Sequence, residues 1–309
     1  MPWRPYYHGD GVLHDVELPQ PPPWRRFPLR PIGTLFQPPH GLIEAVNAAL
    51  HLRRPLLLTG APGSGKSTVI QSVATELNLG RPLRWHITSR SALSDALYRY
   101  DVLGRVHAQQ LTHDGSDDDI TAFLQLGPLG TALLPSERPR ALLIDEFDKS
   151  DFDLPGDLLD VLEHGEFEIQ ELARYRQSTV MIREWESDRR HPVQRGRVSC
   201  TTFPFIVITS NGERDFPPPF LRRCVRFTTP APTAAFLRQV VSAHLGSDVS
   251  GSDTSEELIH TFLERLQAGE ALAVDQLLNA VFLLTGESSP EGARRSALIE
   301  LLLRELSRA

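Results

Sequence analysis

Nine consecutive residues constrain this chain more than anything else in it. Gly60-Ala61-Pro62-Gly63-Ser64-Gly65-Lys66-Ser67-Thr68 fits the pattern G-x-x-x-x-G-K-[ST]. The apolar run Pro55-Leu56-Leu57-Leu58-Thr59 before it reads as a short buried strand, and residues 69–77 after it carry apolar groups at helical spacing. A strand, a glycine-rich turn and a helix in that order form a cradle for polyphosphate. Glycines let the backbone wrap the phosphates, so that its N–H groups and the helix N-terminus point at the negative charge. In such a cradle Lys66 bridges the β- and γ-phosphates, and the Ser67 hydroxyl ligates Mg²⁺. Of the 32 basic residues only Lys66 and Lys149 are lysines. A lysine at the motif's one obligatory position is therefore hard to assign to chance.

A second string, Leu142-Leu143-Ile144-Asp145-Glu146, reads as a buried strand ending in two carboxylates. Open α/β sheets place their ligands at the C-terminal ends of their strands. There Asp145 is the expected Mg²⁺ ligand, directly or through water, and Glu146 the group that polarises a water attacking the γ-phosphate. Alone, the string is also what an ordinary strand end looks like. Paired with the phosphate loop, it favours hydrolysis over transfer to an acceptor. A third strand, Phe205 to Thr209, leads into Ser210-Asn211, where Asn211 either hydrogen-bonds the attacking water or simply forms a turn before Gly212. Pro217-Pro218-Pro219-Phe220-Leu221-Arg222-Arg223-Cys224 follows. Its arginines suit a developing phosphoryl charge, although two adjacent arginines also fit a solvated helix end.

Short apolar strands without polar alternation, at residues 55–59, 83–88, 141–144 and 205–209, alternate with helical patterns at 42–52, 69–77 and 154–163. This predicts an α/β core whose parallel sheet is covered on both faces. Past residue 230 the texture becomes all-helical, with amphipathic stretches at 234–245, 256–266, 274–284 and 293–306. The expected organisation is therefore an arm at 1–31, a nucleotide-binding core at 32–229 and a helical domain at 230–309. The arm holds eight prolines among Trp3, Tyr6, Tyr7, Trp24 and Phe27, so it should be extended and pack on its own domain or on a neighbour. No apolar run reaches the length of a membrane span, and the first residues lack an apolar signal core, so a cytoplasmic chain is expected. Cys200 and Cys224 are too few for a disulfide framework or a structural zinc site. A net charge of −7 argues against a general nucleic-acid coat.

The ordered set GAPGSGKS, LLIDEFDKSD, IVITSN and PPPFLRRC, followed by a small helical domain, resembles the AAA+ ATPases and, within them, the MoxR-like group. The resemblance extends over residues 32–306. It implies a P-loop sheet of order 5-1-4-3-2, a helical lid and a ring, usually hexameric, with ATP and Mg²⁺ at subunit interfaces. It makes Asn211 the sensor-1 residue and matches Arg223 to the arginine finger, with Arg222 as the alternate. It also implies ATP-driven, chaperone-like remodelling of a partner protein, often one with a von Willebrand factor A domain.

Two features depart from the family's simple pattern. The stretch between Glu146 and Asn211 is longer than a helix and a turn consume, and it carries alternation around Phe167 and Ile169 together with an arginine-rich run. A β-hairpin insertion near 166–204 resembles that of this AAA+ branch, while a solvated basic loop is the plainer reading. Stacking aromatics are sparse there, which disfavours a nucleic-acid motor. A further insertion is expected within 89–126, with an acidic loop at 114–119. The second departure lies in the lid, where Leu272-Ala273-Val274-Asp275-Gln276-Leu277 has no basic residue at the place such lids commonly put one, and Arg265 and Arg294 lie too far along. That absence leaves open a slow, nucleotide-gated assembly or signalling module in place of a motor.

Overall fold

The structure is a computed structural model that describes residues 6–27, 35–111, 119–286 and 289–304. The acidic stretch 114–118 and the ends of the expected arm and lid lie outside the described residues. Eleven strands are described, in chain order β1 (Leu56–Thr59), β2 (Leu83–His86), β3 (Tyr98–Tyr100), β4 (Leu124–Leu126), β5 (Ala141–Asp145), β6 (Glu166–Glu168), β7 (Thr179–Arg183), β8 (Arg190–Gln194), β9 (Arg197–Ser199), β10 (Phe205–Ser210) and β11 (Val225–Thr228). The chain divides into two compact units, one made of residues 41–59 and 73–228, the other of residues up to 40, 60–72 and from 229 onward.

In the first unit five strands form a parallel sheet of order β11-β1-β10-β5-β2. Counted along its own strands this is 5-1-4-3-2, the expected order, and the chain has the AAA+ P-loop fold. Every residue of β5 and β10 is buried, as unbroken apolar runs covered on both faces require. The register sets Thr59 beside Ser210, and Ile208 beside Ile144. The C-terminal ends of β1, β10 and β5 therefore lie side by side along one edge of the sheet. Strand β11 is the fifth strand that this order requires, which the residue pattern did not locate. It alternates half-buried and exposed positions and carries Arg226, so its apolar signal is weak.

The two insertions do not form separate structures. Together they build a six-stranded sheet of order β3-β4-β7-β8-β9-β6, joined where Gln125 of β4 pairs in parallel with Arg183 of β7. The hairpin expected around Phe167 lies elsewhere: β7 and β8 form it, while the strand holding Phe167 pairs with Arg197–Ser199, and Ile169 already precedes the short helix Gln170–Ala173. One face of β7, Val180 and Ile182, is buried with Val193 and Val198.

The second unit holds the phosphate loop and the C-terminal helices Ala234–Leu245, Asp253–Gln267, Val274–Leu284 and Gly292–Leu302, with Ser247–Ser250 as a short connector. Its core is Leu237, Val241, Leu258, Ile259, Phe262, Leu277 and Val281. Over residues 6–27 the arm forms no strand and no α-helix; it bends at Gly9–Gly11 and makes one 3-10 turn at Pro23–Arg25. Trp24 fixes that turn to the helices: its Nε1 donates to Asn279 Oδ1 at 3.1 Å, and its ring meets His244 and Phe282 edge-on at about 6 Å. At this residue the arm packs on its own chain. Tyr7, Leu13 and Leu18 stay exposed.

Candidate active site

The phosphate loop needs its glycines. Gly63 and Gly65 adopt left-handed backbone, at φ +69° and +80°. A Cβ on Gly63 would fall 2.2 Å from that of Ala273, and one on Gly60 would fall 2.9 Å from Cβ of Thr229. The loop closes through Thr68 N–H on the Gly65 carbonyl at 3.0 Å and passes through the turn Lys66–Thr68 into the helix Val69–Glu76. Lys66 is buried, and its ammonium donates to the carbonyls of Gly60 at 2.8 Å and Ala61 at 2.7 Å. Pro62 is exposed at the tip, whereas Ser64 Oγ is buried with no hydrogen-bond partner. A buried hydroxyl left open beside a buried ammonium, in a loop too tight for side chains, fits a polyphosphate ligand. The lid residues beside Gly63 are Ala273 and Asp275, so this part of the lid presents a carboxylate in place of an arginine. Gln276 is bound to the Ala273 N–H and the Arg304 carbonyl, and Arg265 to Glu300 and the Leu303 carbonyl.

In the sheet unit, Asp145 and Glu146 are organised by Thr209 on the neighbouring strand. The buried Thr209 hydroxyl donates to Asp145 Oδ1 at 2.7 Å and accepts the Glu146 backbone N–H at 2.9 Å. One hydroxyl thus fixes both acids, and Glu146 is held in left-handed backbone at φ +60°. Such backbone in a non-glycine residue is strained and collects at functional sites. Arg84 Nη2 contacts Asp145 Oδ2 at 2.5 Å. The Glu146 carboxylate accepts from Lys149 Nζ at 2.8 Å, and His86 Nε2 lies 3.7 Å away. That hydrogen bond, more than any other influence, raises the Lys149 pKa above its ordinary value.

Asn211 sits in a turn held by Asp148. Its backbone N–H and that of Glu213 both donate to Asp148 Oδ2, at 2.8 and 3.1 Å. Asp148 is buried, and its other oxygen has no hydrogen-bond partner. The structure thus groups Asp145, Glu146 and Asn211 through Thr209 and Asp148, two residues the sequence reading did not single out. Their signal was a threonine ending an otherwise apolar strand and a second acid two residues beyond the Asp-Glu pair. Arg222 and Arg223 follow the short helix Pro218–Leu221, whose Phe220 packs against Phe147 and Phe216 with ring centroids 5.3 and 5.5 Å away. Arg223 donates to Glu163 and to the Pro219 carbonyl. Arg222 is exposed, and its backbone carbonyl accepts from Arg54.

A parallel sheet with a glycine-rich loop after β1 and two acids ending β5 defines a P-loop nucleoside triphosphatase. The sequence matches the AAA domain (dynein-related subfamily) over residues 55–224, and the chain belongs to that family of AAA+ ATPases. Among solved structures it is similar to domain III of the replication initiation protein DnaA from Thermotoga maritima, at 15% identity and a TM-score of 0.43, over 90% of this chain and 99% of that one. It is also similar to a mutant of RuvB from Thermotoga maritima, at 14% identity and a TM-score of 0.44, over 85% of this chain and 68% of that one. No curated protein matches the chain.

Proposed function

We propose that the chain is an ATP-hydrolysing ring protein of MoxR type that remodels or activates a partner protein in the cytoplasm. The observation that carries this reading is the Thr209 bridge, which ties the Asp145 carboxylate to the strained backbone of Glu146 at the end of a central strand. Lys66 and the loop amides, Gly60 through Thr68, hold the triphosphate. Ser67 and Asp145 would supply oxygen donors for Mg²⁺, which would neutralise phosphate charge there. Glu146 takes the proton of the attacking water, and its ties to Lys149 and His86 keep the carboxylate placed for that task. Asn211 orients the water. Arg223 of a second copy, with Arg222 as the alternate, stabilises the charge developing on the γ-phosphate. The described residues contain no helix long and apolar enough to cross a membrane. The six-stranded sheet built from the two insertions offers a surface for the partner, such as a protein with a von Willebrand factor A domain.

One observation favours a second reading, a slow nucleotide-gated module: Asp275, not an arginine, stands beside Gly63. Both readings require assembly on nucleotide. Particle mass measured with and without Mg²⁺ and a non-hydrolysable ATP analogue tests this. Rings, with a hexamer the first expectation, support the proposal, whereas monomers at every concentration contradict it.

A further inference from the structure

Arg223 is exposed enough to meet another molecule, yet its guanidinium is not loose. Nε donates to Glu163, and Nη1 donates to the Pro219 carbonyl at 3.2 Å. Nη2 has no hydrogen-bond partner among the described residues. Contacts at both Nε and Nη1 fix the rotation of the planar fork and leave the two N–H groups of Nη2 to donate. The neighbouring Arg222 differs, since its side chain makes no hydrogen bond or ion pair among the described residues.

The elements that carry this pair are both anchored. Glu163 lies at the end of the helix Leu154–His164, whose Leu158, Val161 and Leu162 are buried. Arg223 lies between the buried Phe220 and Cys224, and its N–H donates to the Phe220 carbonyl at 3.0 Å. Phe220 packs on Phe147, the residue after Glu146. Exposed ion pairs add little to stability because two long side chains must be frozen to form them. A pair joining two anchored elements at the one arginine that must be aimed has a different use, and here the freezing itself is the function.

We propose that Glu163 is the positioning residue of Arg223, holding the guanidinium by Nε so that the Nη2 amino group is presented to the triphosphate bound by a second copy. This rests on the proposed function, in which Arg223 acts in trans. It also selects Arg223 over Arg222. The ion pair holds the Glu163 carboxyl below the usual carboxylate range, so Glu163 stays charged wherever ATP is hydrolysed.

Steady-state ATPase kinetics of the full chain test this with Glu163→Ala, Glu163→Gln, Glu163→Asp, Arg223→Ala and the Glu163→Ala/Arg223→Ala pair. Melting temperature and particle mass are measured alongside. Glu163→Ala and Glu163→Gln should lower kcat about 10-fold with KM for ATP, melting temperature and assembly unchanged, and Glu163→Asp should recover part of the loss. In the Arg223→Ala background Glu163→Ala should do nothing further, since it has no guanidinium left to aim. Wild-type kcat in Glu163→Ala with Arg223→Ala inactive would overturn the positioning role alone, as would additive losses in the pair or a raised kcat in Glu163→Ala. Wild-type kcat in Arg223→Ala would remove the trans arginine itself, and this proposal with it.

Discussion

Thr209 shows how one side chain outside a motif can organise it. Its hydroxyl donates to the Asp145 carboxylate and accepts the Glu146 N–H, tying that carboxylate to the Glu146 backbone. Asp148 holds the Asn211 turn through two backbone N–H groups. The phosphate loop was legible in the sequence because its nine residues are contiguous and each glycine answers a local backbone need. Thr209 and Asp148 were not, because their partners lie some sixty residues away along the chain and only the β5–β10 pairing brings them into contact. Cys224 gives a residue-scale prediction. Burial, outweighing the nearby Arg226 and Arg54, pushes its thiol from an ordinary 9.0 up to about 12. Above pH 9 the unfolded chain releases this proton and the folded chain keeps it, so the thiol's contribution to stability is lost progressively from pH 9 towards 12. Urea midpoints compared at pH 8 and 10 should fall less in Cys224→Ala than in the wild type, by about 1 kcal/mol of unfolding free energy. Equal falls would contradict this account of the buried thiol.

The elements divide by how their apolar signal is written. Strands β1, β5 and β10 were legible because an unbroken run of Leu, Ile and Val has no other soluble use at that length. Strand β11 and the three-residue strands β3, β4, β6 and β9 were not, being short, interrupted by charged or polar residues and stabilised by pairing with distant segments. Hence the insertions read as a hairpin and an unassigned loop when they share one sheet. The helix Pro128–Ala132 offers a test of how tightly this region packs. A Cβ on Gly130 would fall 1.9 Å from the Leu97 carbonyl oxygen, a backbone atom that cannot swing aside. Gly130→Ala should cost about 2 kcal/mol or more of stability by chemical denaturation. A change within a few tenths of a kcal/mol would mean that the helix shifts freely.

For the whole molecule, the sheet order and the family are established, and the phosphate loop and the two acids fit ATP and Mg²⁺. The ring, the trans arginine and the partner form the proposed layer above them. Phe147, which follows Glu146, packs on the helix that leads to Arg223. The central claim is that Glu146 drives hydrolysis of ATP held by Lys66 and its loop. Phosphate release by the wild type and Glu146→Gln, each first shown to bind a fluorescent ATP analogue equally, tests it most directly. Sustained turnover in the wild type that falls about 100-fold or more in Glu146→Gln is the predicted result. Equal turnover in the two proteins, or none in the assembled wild type, would contradict it.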